Sequence, residues 1–246
     1  MVQPPIPVLV LPVCFNLALP PSFKNPNKIS DHVCKKSSVQ TEEPVFFDCM
    51  YVQQNKSILT LSGRPIGTIQ NNAGNYDLTT TLLHPTTLKI LNQFQPVKQI
   101  VPASRLDAIK FDRNPYSPQQ DLVGIAIYQS HIGGINSSRR LLNLYSTNQQ
   151  SSIKQVLNGL MTNYQSSTSN NNCDDWNTVE LKRTIHLTGK NKNQLPILRI
   201  KEHIIDNDYD QKSCHAEISK HQKTYQIQFN GTDYPIQQIT KNDLEY

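Results

Sequence analysis

The stretch Val179-Glu180-Leu181-Lys182-Arg183-Thr184-Ile185-His186-Leu187 alternates apolar and polar side chains, with Arg183 as the one break in the pattern. Successive side chains of a β-strand point to opposite faces, so this spacing indicates a strand with one buried face and one solvated face. Strands of that kind are typical of antiparallel sheets. The stretch therefore predicts an antiparallel sheet that packs against a core on one side.

Similar strand patterns lie on both sides of this stretch. They are rich in β-branched and aromatic residues and are separated by Asn, Ser, Gly and Pro, as expected for strands joined by turns. Those before it cover residues 45–51, 57–61, 65–69, 106–111 and 122–128, and those after it cover 196–205 and 224–229. We expect the first three to form a meander.

Helical spacing occurs in two places. In residues 152–164 the side chains Ile153, Val156, Leu157, Leu160, Met161 and Tyr164 would share one helix face, and a preceding serine could cap the start. Residues 85–94 show a shorter pattern after a proline. The predicted fold class is therefore α+β and β-rich, with mostly antiparallel sheet packed against one or two short helices, the clearest at 152–164.

The chain of 246 residues is predicted to form a single domain over residues 1–246. The Ser/Thr/Asn-rich tract at 166–172 is the best candidate for a sub-division into a larger N-terminal and a smaller C-terminal β-rich part. Asn230-Gly231 predicts a tight hairpin turn, and Pro235 would restrict the returning strand to a sheet edge.

The charge pattern bears on the class of partner. The formal net charge is +5, and Lys and Arg are spread along the chain rather than concentrated in runs. This disfavours nucleic-acid binding, which needs basic residues on one face. No stretch of about 18 apolar residues occurs, so no membrane-spanning helix is predicted.

The five cysteines include no Cys-x-x-Cys pair, which disfavours a structural zinc site. Cys34 with Cys49, and Cys173 with Cys214, are candidate disulfides that would leave Cys14 free. This pairing favours an extracytoplasmic protein, periplasmic or secreted; five reduced thiols in a cytoplasmic protein are the alternative.

An acidic segment has the spacing of a calcium loop. Asp206, Asp208 and Asp210 alternate, and Glu217 stands where an EF-hand places its bidentate glutamate. However, Gln211 replaces the glycine of the sharp turn, and strands flank the segment instead of helices. The competing interpretation is an acidic hairpin loop, and the hypothesis attached to calcium is an envelope or structural protein.

Two His-x-Thr units form a second candidate site. His84-Pro85-Thr86 and His186-Leu187-Thr188 could place two imidazoles and two hydroxyls around one phosphate. The arrangement resembles that of the two-histidine phosphoesterases over six residues. The resemblance implies a phosphoesterase with His84, Thr86, His186 and Thr188 at its site.

A third candidate is Glu180-x-Lys182 after Asp174 and Asp175. It resembles the Asp…Glu-x-Lys cluster of metal-dependent nucleases, in which carboxylates hold Mg²⁺. Alternating charge on an exposed strand produces the same pattern, so this candidate and the His-x-Thr units together define only the alternative hypothesis, a phosphoesterase or nuclease-type hydrolase.

The leading hypothesis is a non-enzymatic recognition protein that binds another macromolecule, such as an inhibitor or toxin-neutralising protein, without a cofactor. The strands are rich in uncharged polar residues and tyrosine, which give adaptable contacts, and the motifs do not form a coherent catalytic set. A protein partner is expected, through an exposed sheet face or sheet edge.

Overall fold

The computed structural model describes residues 46–52, 57–70, 73–84, 87, 89–101, 105–114, 116, 122–149, 152–169, 176–190, 195–210, 212–241 and 243. These residues form eleven strands and one short helix. In chain order they are β1 Phe46–Val52, β2 Ser57–Gln70, β3 Ala73–Leu83, β4 Ile90–Val101, β5 Arg105–Asp112, β6 Leu122–His131, β7 Ile135–Gln149, β8 Ser152–Ser169, β9 Trp176–Lys190, β10 Pro196–Tyr209, β11 Ala216–Ile227 and α1 Gln237–Thr240.

The strands make two antiparallel meanders. The first sheet has the order β1-β2-β3-β4 and the second has the order β11-β10-β9-β8-β7-β6-β5, so within each sheet every strand pairs with its neighbours in sequence. Hairpin connection between sequence neighbours is the simplest route to an antiparallel sheet. The predicted β-rich fold, with mostly antiparallel sheet and a short helix, is confirmed. The predicted meander of residues 45–51, 57–61 and 65–69 is wrong, because the last two segments form one strand, β2, whose second partner is β3.

The two sheets share a core. Leu59, Leu61, Tyr76 and Leu78 of the small sheet pack with Ile109, Phe111, Ile125, Ile127 and Tyr145 of the large one, among others. Asp48 of β1 joins the sheets through polar contacts, because its carboxylate accepts a hydrogen bond from the Phe111 backbone N–H at 2.7 Å and pairs with Arg113 at 2.9 Å.

A second core lies between the large sheet and the C-terminal segment. Leu142, Leu157, Leu160, Leu198 and Ile200 pack there with Phe229, Tyr234, Ile236 and Ile239. Tyr234 fastens this segment, since its backbone N–H donates to Val156 O at 2.7 Å and its hydroxyl donates to Pro196 O at 2.6 Å.

The predicted helix at 152–164 is wrong: these residues belong to strand β8. The pairing of β7 with β8 has four register irregularities, and Gly159 has a φ of 70°. Bulges interrupt the period of two, and β8 is buried on both faces, with Leu160 in the C-terminal core and Met161 in a separate cluster. Apolar residues therefore recur at intervals that imitate a helix.

The shorter predicted helix at 85–94 is wrong where the structure describes it. Residues 90–94 are the start of β4, and Phe94 pairs with Thr80 of β3. Three apolar positions were too few to separate a helix from a strand. The one described helix, α1, lies at the C-terminal end, where no helix was predicted.

Two other expectations concern the ends of strands. Residues 166–169 continue β8 and pair with β9. Residues 170–172 lie outside the described residues, and the sub-division at 166–172 stays a prediction. The turn at Asn230-Gly231 is present, with Asn230 N–H donating to Asp233 O at 3.0 Å and Gly231 at a φ of 105°. The edge strand expected after it is absent, because residues 233–236 lead into α1 instead.

Two of the five cysteines lie in the described chain. Cys49 is buried in β1, and Cys214 is in the turn between β10 and β11 with a φ of 55°. Neither is a free thiol. Because Cys14, Cys34 and Cys173 lie outside the described residues, the proposed pairing stays a prediction.

Candidate functional site

Part of one side of the large sheet is open to solvent across six strands, β6 to β11. We call it the open face, and its rows follow from the register, because directly opposite residues point to the same side. The first row is Tyr128, Arg140, Asn163, Lys182, His203 and Gln222; the second is Ser130, Ser138, Gln165, Glu180, Ile205 and Lys220; the third is Asn136, Ser167, Thr178, Asn207 and Ile218. A partial fourth row, two residues beyond the third on each strand, completes the open face: Ser169, Trp176, Tyr209 and Ala216.

None of these 21 side chains is buried. Strand spacing makes the open face about 24 Å wide across the six strands and about 20 Å long. Three large apolar side chains are exposed on it: Tyr128 at 37%, Trp176 at 47% and Ile218 at 59% of their surface. The open face therefore combines apolar contact area with many uncharged polar groups.

The open face rests on a buried polar network. Arg140 pairs with Asp112 at 2.5 Å and donates to Thr162 Oγ1 at 2.7 Å, while its guanidinium lies 5.8 Å from the centre of the Tyr128 ring. Tyr116 donates its hydroxyl to the same Asp112 carboxylate. Burial and this hydrogen bond raise the pKa of Tyr116 far above its ordinary range, so the hydroxyl keeps its proton. The network holds Arg140 and Tyr128 in place.

Two pairs of adjacent basic residues are divided between the two sides of the large sheet. Because successive side chains of a strand point to opposite sides, Arg139 lies on the opposite side of β7 from Arg140. Arg183, next to the exposed Lys182, is buried and bound to Glu202 and Asp243. The strand period thus divides each basic pair, which lowers the positive charge available on any one surface.

A cleft lies on the other side of the same strands. Its volume is about 410 Å³; Gln129, His131, Ile135, Ser137, Arg139 and Tyr164 line it from this side, and Ser130 of the open face also borders it. Gln129 is almost fully buried and accepts a hydrogen bond from Arg139 Nε at 2.6 Å. The cleft therefore contains one oriented guanidinium beside an exposed apolar residue, Ile135.

The two predicted His-x-Thr units lie in different sheets. His84 directly follows β3 of the small sheet, and its Nδ1 accepts a hydrogen bond from Thr87 N–H at 3.3 Å. His186 and Thr188 lie in β9 of the large sheet, where the Thr188 hydroxyl donates to Ile197 O at 3.3 Å. Thr86 lies outside the described residues. The phosphoesterase hypothesis stays a prediction.

Glu180 and Lys182 both belong to the open face. Glu180 accepts a hydrogen bond from Gln165 Nε2 at 3.1 Å, as an exposed cross-strand pair does. Asp174 and Asp175, the remaining members of the nuclease-like pattern, lie outside the described residues. This alternative therefore also stays a prediction.

The acidic segment forms the end of the β10–β11 hairpin rather than a loop between helices. Asp208 is directly opposite Glu217, and Asp206 lies two residues before Asp208 on β10. Asp210 accepts hydrogen bonds from the backbone N–H groups of Ser213 and Lys212, both at 2.8 Å, which lower its pKa. Among the described residues, no group of three or more His, Cys, Asp or Glu side chains is arranged to hold a metal ion.

Sequence reasoning overlooked the residues that define both surfaces. Tyr128, Trp176 and Ile218 of the open face, and Gln129 and Arg139 of the cleft, belong to no motif. The available signal was alternation along β7, which assigns Arg139 and Arg140 to opposite faces once the strand is known. Which face is open depends on packing.

Comparison of the chain with protein-family models, with curated proteins and with solved structures finds no match. Across the residues that the structure describes, no helix is long and apolar enough to cross a membrane.

Proposed function

We propose that this chain is a non-enzymatic recognition protein that binds another protein through the open face. The observation that carries the proposal is the exposure of Tyr128, Trp176 and Ile218 on one continuous sheet face. The three stand singly among polar side chains, and tyrosine, tryptophan and arginine are enriched in interfaces.

The side chains of the open face are of both signs and many are uncharged. Lys182 and Lys220 are exposed, Glu180 lies beside them, and Arg140 is neutralised by Asp112. The same side of β9 and β10 continues beyond the open face with exposed Lys201 and Arg199. The choice of a protein partner therefore rests on the aromatic and amide side chains of the open face and not on its charge.

The sheet edges suit a partner less well than the face does. β11 is an edge strand in the described sheet and carries exposed Lys220 and Lys223, while β4, at the edge of the small sheet, contains Pro96. Lysine and proline on edge strands discourage pairing with another chain. The proposal therefore assigns the contact to side chains of the open face and not to backbone pairing.

The class of partner and the location belong to the proposal as well. An inhibitor or toxin-neutralising protein would present a rigid surface, and the open face is built on six hydrogen-bonded strands. An oxidising compartment would follow from the proposed pairs Cys34–Cys49 and Cys173–Cys214.

Photo-crosslinking in the producing cells tests the proposal. A photoreactive amino acid at position 218 or 128 should give one discrete protein adduct. The same amino acid at position 90 is the matched control, because Ile90 is an exposed isoleucine at 50% but lies on β4 of the small sheet. Adducts of equal yield from position 90, or none from 218 and 128, would contradict the proposal.

The purified pair can then be titrated by fluorescence. Trp176 is the only tryptophan of the chain and lies on the open face, so its emission reports occupancy directly. Ile218→Glu should weaken binding by about tenfold or more, which corresponds to about 1.4 kcal/mol. Ile90→Glu should leave the affinity unchanged.

A further inference from the structure

The cleft on the side opposite the open face contains a cation that the fold does not neutralise. Arg139 donates from Nε to Gln129, and in the part of the chain that the structure describes no carboxylate pairs with its guanidinium. Arg140 and Arg183 differ in this respect, since carboxylates bind both at 2.5 to 2.7 Å. The terminal nitrogens of Arg139 are therefore available to a ligand.

Gln129 makes this an oriented site. Its side chain is 2% exposed, and its Oε1 accepts the Arg139 Nε–H at 2.6 Å. Gln129 and Arg139 are directly opposite in the pairing of β6 with β7, so both are held by the sheet. A hydrogen bond at Nε fixes the plane of the guanidinium and leaves its outer nitrogens for a two-pronged contact.

The other lining residues complete a small amphipathic site. Ser137 lies two residues from Arg139 on the same side of β7 and adds a hydroxyl, and the side chain of His131 is exposed beside it. Ile135, with 52% of its surface exposed, and the ring of Tyr164 supply apolar contact. Among the described residues, no Asp or Glu lines the cleft, and the Asp107 carboxylate accepts a hydrogen bond from the lining Ser130 at 3.0 Å.

We infer that this cleft binds a small organic carboxylate, with the carboxylate on Arg139 and its apolar part against Ile135 and Tyr164. A planar carboxylate matches the single guanidinium fork in shape and in charge. The volume of about 410 Å³ lies within the range of small-molecule sites. The site is on the reverse of the open face and does not depend on the proposed protein partner.

Calorimetric titration with hexanoate tests this inference, with hexylamine and hexyl phosphate as the comparison ligands. Hexanoate should bind saturably at one site, and hexylamine should not bind. Arg139→Gln should weaken hexanoate binding by about tenfold or more, in line with the loss of a charge-assisted pair. Arg199→Gln removes an exposed arginine of β10 and should leave hexanoate binding unchanged.

A second variant guards against misfolding. Ile135→Glu changes an exposed side chain at the cleft, so the fold should persist while the added carboxylate repels the ligand. The inference is overturned if hexanoate does not saturate, if Arg139→Gln binds it as the original chain does, or if hexyl phosphate binds about tenfold more tightly than hexanoate.

Discussion

Gly124 of β6 is closely packed against Tyr116 and Leu142, which belong to the core between the large sheet and the C-terminal segment. A Cβ at this position would lie 2.7 Å from Tyr116 Cε2, 3.0 Å from Asp112 Cβ and 3.2 Å from Leu142 Cδ1. The residue is therefore required to be small because of its neighbours, not because of its backbone conformation. The ring it contacts is the one that donates a hydrogen bond to Asp112.

Gly124→Ala should lower the free energy of unfolding by about 1–3 kcal/mol, the usual cost of overpacking a core. Urea unfolding followed by circular dichroism measures it. The matched control is Gly134→Ala, because a Cβ there meets nothing within 4 Å and the site is exposed. Equal stability of the two variants would show that Tyr116 does not pack against Gly124 in this way.

Tyr145 links the stability of the shared core to pH. Burial raises its pKa to about 12 from 10.0, against a smaller lowering by Asn143. Between pH 10 and 12 the native state keeps the phenol proton while the unfolded state loses it. The stabilisation is therefore complete below pH 10 and is lost as pH rises towards 12, at up to about 1.4 kcal/mol per pH unit.

Tyr145→Phe should reduce this alkaline loss by about the contribution of one proton. The measurement is urea unfolding of both proteins at a series of pH values from 8 to about 11.5, in the window set by the raised pKa. The difference in stability between them should be constant below pH 10 and should change above it. Parallel curves throughout would mean that Tyr145 ionises as readily in the native state as in the unfolded one.

At the scale of elements, β8 is the strand whose sequence imitates a helix. Its irregular pairing with β7 places Gly159 in the left-handed region at a φ of 70°, where its N–H donates to Asn143 Oδ1 at 2.6 Å. Asn143 is fully buried, so this hydrogen bond is well shielded from water. A strand and a helix at residues 152–164 predict opposite effects of the substitution Gly159→Ala.

Gly159→Ala should destabilise the protein by about 1–2 kcal/mol, because an alanine in left-handed conformation is strained. A Cβ at this position meets nothing within 4 Å, so the effect would come from the backbone alone. If residues 152–164 were a helix, the same change would stabilise it by about 1 kcal/mol. The sign of the change in thermal unfolding temperature distinguishes the strand from the helix.

For the whole molecule, Arg183 connects the large sheet to the C-terminal segment. Its buried guanidinium pairs with Glu202 at 2.6 Å and Asp243 at 2.7 Å, and it also donates to Met161 O and Ile239 O. Tyr225 donates to the second oxygen of Glu202 at 3.0 Å. One residue thus holds β8, β10 and the segment after α1 together.

Arg183→Met should cost about 3–5 kcal/mol of unfolding free energy, because it leaves two largely buried carboxylates without their cation. Denaturant unfolding measures the loss, and Arg199→Met, an exposed arginine on β10, is the control. A loss below about 1 kcal/mol would mean that the network contributes little.

The proposed disulfides are tested by counting thiols in the denatured, unreduced protein. One reactive thiol, that of Cys14, is expected if Cys34–Cys49 and Cys173–Cys214 form. In the chain-entropy description, the larger loop, closed by Cys173 and Cys214, would contribute about 4 kcal/mol and the smaller one about 3 kcal/mol. Five reactive thiols would contradict both pairs and the oxidising compartment.

The sequence by itself determined the β-rich fold class and located β1, β2, β5, β6, β9, β10 and the end of β11, because a period of two and the intervening turn residues are local properties. It did not predict β3, β4, β7 or β8 as strands. The strand at residues 179–187 needed no tertiary information, whereas Asn230-Gly231 forms a turn without the predicted hairpin. Only the tertiary structure decided that residues 152–164 form a strand, since burial on two faces and bulges arise from pairing with β7. It also decided that Tyr128, Trp176 and Ile218 share an open face and that Arg139 lies in a cleft. Those properties depend on which side of the sheet is covered, and no local pattern encodes that.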